Sequence, residues 1–139
     1  MTLEFVDTSI LLHAYDVGAG VRHDQAAELL TRLGRARTGV ISVQVLQEFH
    51  VNATRKIAVP LTPSAARDRV RVLSLWHVHT PTPDDVLAAS ELAEHAQLSF
   101  WDAMIVRSAA VSGCSTLWSE DLNAGQRIAG VHVRNPFTP

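Results

Sequence analysis

A chain of 139 residues has the usual length of one domain and can bury a single core. Its composition, 47% hydrophobic and 19% charged, excludes a disordered protein, and no apolar run approaches the roughly 20 residues a membrane helix requires. The formal charge of −2 conceals an asymmetry, because Arg22 to Arg71 carries +5 and the remainder −7.

The elements follow in chain order. Leu3-Glu4-Phe5-Val6 reads as a short strand ending at Asp7-Thr8-Ser9, a helix-start signal. A short helix runs on through Leu12 and Tyr15. Gly20 to Arg37 places Val21, Ala26, Leu29, Leu30 and Leu33 at helical spacing. Gly39-Val40-Ile41 reads as a buried strand, and Ser42 caps a helix to about Lys56. Thr62-Pro63 opens the next helix, with proline at the first position, where its missing N–H costs nothing. Leu75 to His79 reads as a third strand. Thr82-Pro83-Asp84-Asp85 begins a helix to about Gln97, and Ser99 another to about Ser112. Ser115 to Trp118 and Val131 to Val133 are the fourth and fifth strands. With no repeat or flexible linker, residues 1–139 read as one domain. Alternating strands and helices predict an α/β fold with a mostly parallel sheet of about five strands. Ligands of such folds gather beyond the carboxyl ends of the strands, where Asp7 and Asp121 fall.

Each acidic residue there has a plain structural role available. Asp7 suits a helix N-cap. Glu48 lies nearly opposite Leu46, Phe49 and Ala53 on its helix, beside Val45 and Asn52, where it could face solvent. Ser99-Phe100-Trp101-Asp102 matches a capping box, although Asp102 also shares a face with Ile105, Val106 and Ala109. Spacing alone does not choose between Glu120 and Asp121. Asp85 completes a capping box with Thr82, so Asp84 and Asp85 stay outside the site. If the other carboxylates converge, their repulsion raises their pKa values. Hard oxygen-seeking cations such as Mg²⁺ and Mn²⁺ would relieve it, and such ions promote phosphodiester hydrolysis.

These segments resemble the PIN-domain ribonucleases. Asp7-Thr8-Ser9-Ile10-Leu11-Leu12 after an opening strand is similar to the start of that domain. Glu48 in Val45-Leu46-Gln47-Glu48-Phe49 matches its central-helix Glu, and Ser99-Phe100-Trp101-Asp102-Ala103-Met104-Ile105 its third acidic motif. Leu117 to Gln126, with Asn135-Pro136-Phe137, is similar to the terminal motif of VapC-type toxins. The four motifs in order span Leu3 to Phe137. The resemblance implies a three-layer α/β/α fold and an endoribonuclease dependent on Mg²⁺ or Mn²⁺, hydrolysing RNA with metal-activated water. It assigns Asp7, Glu48, Asp102 and Asp121 to metal and catalysis, choosing Asp121 over Glu120, with Thr8, Ser9 and Ser119 in support. Ser9 stands where many members carry Asn. It further implies a homodimer inhibited by a VapB-like antitoxin.

Arg22, Arg35, Arg37 and Arg55 are candidate grips on the RNA backbone, since a basic segment beside an acidic site can hold a polyanion. The same arginines would also suit ordinary solvated helix faces. The start of the chain has no basic stretch of the kind that opens a signal peptide, and one cysteine, Cys114, fits a reducing cytosol, so a cytoplasmic protein without membrane attachment is expected. Three other chemistries fare worse. Cys114 sits in a small-residue turn without an activating histidine, His77 and His79 lack further zinc ligands, and Asp7-Thr8-Ser9 has no dinucleotide-binding glycine. The principal alternative is a non-catalytic module of the same fold that binds RNA or protein; a metal-dependent phosphatase or DNA nuclease is a third.

Overall fold

A computed structural model describes residues 2–138. β1 (Leu3–Val6) feeds α1 (Thr8–Tyr15), a 3-10 turn at Val17–Ala19 and α2 (Val21–Ala36). β2 (Gly39–Ser42) leads into α3 (Val43–Ala53) and α4 (Pro63–Leu73), then β3 (His77–His79) into α5 (Pro83–Ala96) and α6 (Phe100–Val111). The chain closes with β4 (Cys114–Trp118), β5 (Arg127–Ile128) and β6 (Val131–Arg134). No helix among the described residues is long and apolar enough to cross a membrane.

Caps set the helix starts. Asp7, Ser42, Thr62, Thr82 and Ser99 each accept a backbone N–H of the following turn, satisfying donors that have no partner inside the helix. Only α5 has the reciprocal box, in which Asp85 also takes the Thr82 N–H at 2.8 Å.

The six strands lie in the order β3-β2-β1-β4-β6-β5, all parallel except the β5–β6 pair. One strand beyond the expected five is therefore present. β5 has two residues, too few to show alternation, and turns back through Ala129 and Gly130 at φ 51° and 81°, the twist a tight hairpin requires. Boundaries also shift, β2 and β6 each running one residue further, to Ser42 and Arg134. β3 begins at His77 because Leu75 and Trp76 close the turn after α4, the Trp76 N–H donating to the Leu73 carbonyl at 3.0 Å. α3 stops at Ala53, where the chain turns so that Ala58 and Val59 donate their N–H groups to Asp16. β4 starts one residue early, at Cys114.

Connections β1–β2 and β2–β3 step one way along the sheet, and the β3–β4 crossover returns past β2 and β1. Right-handed crossovers then place α1 to α4 on one face and α5 with α6 on the other, the three layers expected. Packing agrees: α1 lies against α2 and α3, and α6 against β2, β4 and β6. The core is Phe5, Val6, Val40, Ile41, Leu117 and Val133 from the sheet, with Ile10, Leu11, Leu33, Phe49 and Val106 from the helices, all fully buried. Each such side chain contributes about 1.5–3 kcal/mol of burial. Gly39 is fixed by close approach, because a side chain there would collide with the Trp76 ring. The order of strands reverses between β1 and β4, so the loops after these two strands diverge and open a crevice.

Candidate active site

Asp7 occupies the end of β1 and the crevice floor, 5% exposed. One carboxylate oxygen accepts the Thr8 N–H at 2.7 Å and the other the Ser119 hydroxyl at 2.7 Å. Asp7 is thus both the helix cap expected on structural grounds and a carboxylate that lines the crevice. Burial pushes its pKa up to about 7, against the pull of those two hydrogen bonds, and the charges of Asp121 and Glu48 add to the rise.

Glu48 projects from α3 toward the same crevice and accepts from the Gln44 amide at 3.1 Å and the Thr8 hydroxyl at 3.5 Å. Partial burial raises its pKa too, and Asp102 and Asp121 reinforce the effect. Asp102 stands in the first turn of α6. Its N–H donates to Ser99 at 3.1 Å, but the carboxylate does not complete the box by returning to the Ser99 N–H. Capping therefore leaves it available. Asp121 sits beyond β4 at the crevice mouth, where desolvation by the walls and the charge of Asp102 raise its pKa while His13 opposes them.

A single cleft of about 440 Å³ is lined by Asp7, Thr8, Ser9, Glu48, Asp102, Glu120 and Asp121, together with His13, Asp16, Asn52 and Lys56. All four acids expected from sequence are thus brought to one place by four separate segments. Thr8 bonds to Glu48, Ser119 to Asp7, and Ser9 accepts the Glu120 N–H at 3.3 Å. Glu120 is held by His13 at 2.9 Å and by Arg22, whereas among the described residues no side chain hydrogen-bonds to the Asp121 carboxylate. Asp16, also at the cleft wall, spends its oxygens on the N–H groups of Gly18, Ala58 and Val59.

The basic residues are less concentrated. Arg22 is at the rim but paired with Glu120, and its guanidinium lies 5.2 Å from the Phe137 ring. Arg35 flanks Glu28 and Thr31 on α2, and Arg37 caps the far end of that helix beside Trp76 and His77, both away from the cleft lining. Arg55 is exposed just past α3. Its neighbour Lys56, which sequence reasoning passed over, does line the cleft. So does Asn52, one helical turn beyond Glu48, and that spacing was a legible signal. Gln44, four residues before Glu48, was missed as well.

Among the described residues no three His, Cys, Asp or Glu side chains stand close enough together to enclose an ion. The donors nonetheless fit a hydrated hard cation, which keeps several waters and takes only one or two carboxylates directly. Four carboxylates in one cleft, three of them (Asp7, Glu48 and Asp121) with raised pKa values, suit such an ion, and soft ligands are missing from the cleft lining.

Comparison with known proteins agrees with this geometry at the level of fold. VapBC2 of Rickettsia felis, solved with a promoter DNA fragment, shares 19% identity at a TM-score of 0.68, over 96% of this chain and 98% of that one. A toxin–antitoxin complex from Klebsiella pneumoniae shares 23% at 0.68 over 96% and 98%. Mycobacterium tuberculosis VapC20, described as a toxin that cleaves the sarcin–ricin loop, shares 24% at 0.64 over 85% and 91%. No protein of curated function matches the sequence. The family model of the PIN domain matches residues 5–129, and the chain belongs to that family.

Proposed function

We propose that this chain is a Mg²⁺- or Mn²⁺-dependent endoribonuclease acting as the toxin of a toxin–antitoxin pair. One observation carries the reading: Asp7, Glu48, Asp102 and Asp121, from four separate segments, line one cleft at the reversal point of a parallel sheet. The description of VapC20 as a ribosomal-loop-cleaving toxin supports RNA as substrate. The two-component complexes from Rickettsia and Klebsiella support a VapB-like antitoxin as partner. A homodimer is part of the same proposal.

Asp7 and Asp102 would be the principal metal donors, with Glu48 and Asp121 acting directly or through water. A divalent ion bound there supplies positive charge to the scissile phosphate and makes water a stronger nucleophile. The protein residues supply position and electrostatics. Ser119 and the Thr8 N–H lock the Asp7 carboxylate in one orientation, and the Thr8 hydroxyl steadies Glu48. Glu120, gripped by His13 and Arg22, anchors the loop that presents Asp121. Lys56 at the cleft wall is the cation best placed for an RNA phosphate, with Arg22 paired to the cleft-lining Glu120 and Arg55 next to Lys56 in the chain. Arg35 and Arg37 would meet only RNA that extends across α2. Accessible single-stranded or loop RNA suits an open cleft better than a duplex.

The test is incubation of purified protein with mixed cellular RNA in Mg²⁺, in Mn²⁺ and in excess EDTA. Discrete cleavage that needs metal and is lost in Asp7→Asn and Asp102→Asn is the expected result. Intact RNA under every metal condition, from protein shown to be folded and free of antitoxin, would overturn the proposal; RNA retained but uncut would identify the non-catalytic binding module.

A further inference from the structure

Gln44 is buried at the first turn of α3, facing the base of α6. Its Nε2 donates to Glu48 Oε1 at 3.1 Å and to the main-chain carbonyl of Trp101 at 3.2 Å. Both partners are acceptors, so the amide orientation is forced; reversing it would set Oε1 against two oxygens. Oε1 is buried with no hydrogen-bond partner among the described residues. A buried carbonyl oxygen without a donor costs stability, and an apolar side chain of the same length would avoid that cost. The geometry that accompanies the cost is specific. Trp101 immediately precedes Asp102, so one amide ties Glu48 of α3 to the turn of α6 that carries Asp102, across two elements that belong to opposite layers.

We propose that Gln44 is a positioning residue that sets the separation of Glu48 and Asp102 and thereby the affinity of the cleft for its divalent ion. This inference rests on the metal-dependent reading above. Gln44 stands behind the cleft rather than in its lining. It works by holding Oε1 of the cleft-lining Glu48 on a fixed strut and by pinning the α6 N-terminus against α3. Partners of this kind around metal ligands typically change metal affinity or activity 10–100-fold.

The experiment is a titration of Mn²⁺ alone into the full chain, followed by calorimetry, for the wild type, Gln44→Met, Glu48→Gln and the double variant, with thermal melting in EDTA alongside. Gln44→Met is expected to melt at or above the wild-type temperature, since it removes the orphaned oxygen, yet to bind Mn²⁺ about 10-fold more weakly. On the Glu48→Gln background the same change is expected to cost much less, because the strut has lost the carboxylate it holds. A merely structural glutamine would instead lower the melting temperature and act additively. Gln44→Met with wild-type Mn²⁺ affinity, in a wild type that binds Mn²⁺, would overturn this inference alone. A folded wild type that takes up no Mn²⁺ would overturn the metal reading and the inference together.

Discussion

The hydroxyl of Ser119 reaches Asp7 Oδ2 at 2.7 Å across 112 positions of sequence, joining the carboxyl end of β4 to that of β1. The same oxygen of Ser119 accepts the N–H groups of Asp121 and Leu122, so one hydroxyl orients the deepest carboxylate and shapes the loop bearing the outermost. Ser119→Ala is expected to lower catalytic efficiency by roughly 10-fold or more and stability by about 1 kcal/mol. Because the lost bond had held the Asp7 pKa down, the rising limb of the pH–rate profile is expected to move to higher pH. Rates measured from pH 5 to 9 check both effects.

Asp7 also makes metal-free stability depend on pH with a defined sign. Its pKa is raised from 3.8 to about 7 by burial, so the folded state binds its proton more tightly than the unfolded chain. The stability it contributes is fully present below pH 3.8 and is lost as pH rises through about 7. Glu48 and Asp121, also raised by burial, act with Asp7. Asp85 and Glu4, whose pKa values are lowered, act in the opposite sense in the acid range. Half-buried His13, lowered by burial from 6.5, opposes the trend nearer neutrality. In EDTA, the wild type is expected to lose stability between pH 5 and 8, and Asp7→Asn to lose less. Urea unfolding at each pH gives the comparison, and Mg²⁺ is expected to restore wild-type stability at pH 8.

A buried acid outside the cleft is expected to behave differently. Asp85 takes the Thr82 N–H, the Arg107 Nε–H at 2.9 Å and lies 3.3 Å from His79. Those bonds hold its carboxyl below the usual range. Removing it strands the partly buried Arg107 charge and opens the α5 cap, so Asp85→Ala is expected to cost about 3 kcal/mol while cleavage per folded molecule persists. Denaturant unfolding and a rate normalised to folded protein separate the two.

Placement ranks the cationic residues. Lys56→Glu is expected to weaken RNA binding and to reduce the slope of log affinity against log salt by about 1. Arg37→Glu, at the far end of α2, is expected to leave both nearly unchanged. Binding to a short single-stranded RNA by the inactive Asp7→Asn protein, titrated with salt, measures each.

Local pattern alone offered each of the four carboxylates a plain structural role; the resemblance of four ordered motifs singled out Asp7, Glu48, Asp102 and Asp121, which the structure brings into one cleft. Asp102 illustrates the limit of that reading. Its pattern was that of a capping box, and only the three-dimensional placement showed that the box stays half closed. Spacing did not choose between Glu120 and Asp121; the resemblance named Asp121, and the contacts of Glu120 with His13 and Arg22, from 107 and 98 positions away, could not be read from the sequence. β5 was invisible because two residues carry no period. Lys56 escaped attention because the helix was read through it, whereas the tertiary grip of Asp16 on Ala58 and Val59 ends α3 early and turns Lys56 into the cleft wall.

The most direct measurement is single-turnover cleavage of one RNA in Mg²⁺ by Asp7→Asn, Glu48→Gln, Asp102→Asn and Asp121→Asn, with Asp84→Asn on the outer end of α5 as control. If the cleft acts as one metal-dependent centre, each of the four variants loses cleavage by at least about 100-fold while remaining folded, and the control matches the wild type. Cleavage at the wild-type rate in folded Asp7→Asn and Asp102→Asn would contradict the account, whatever the other variants show.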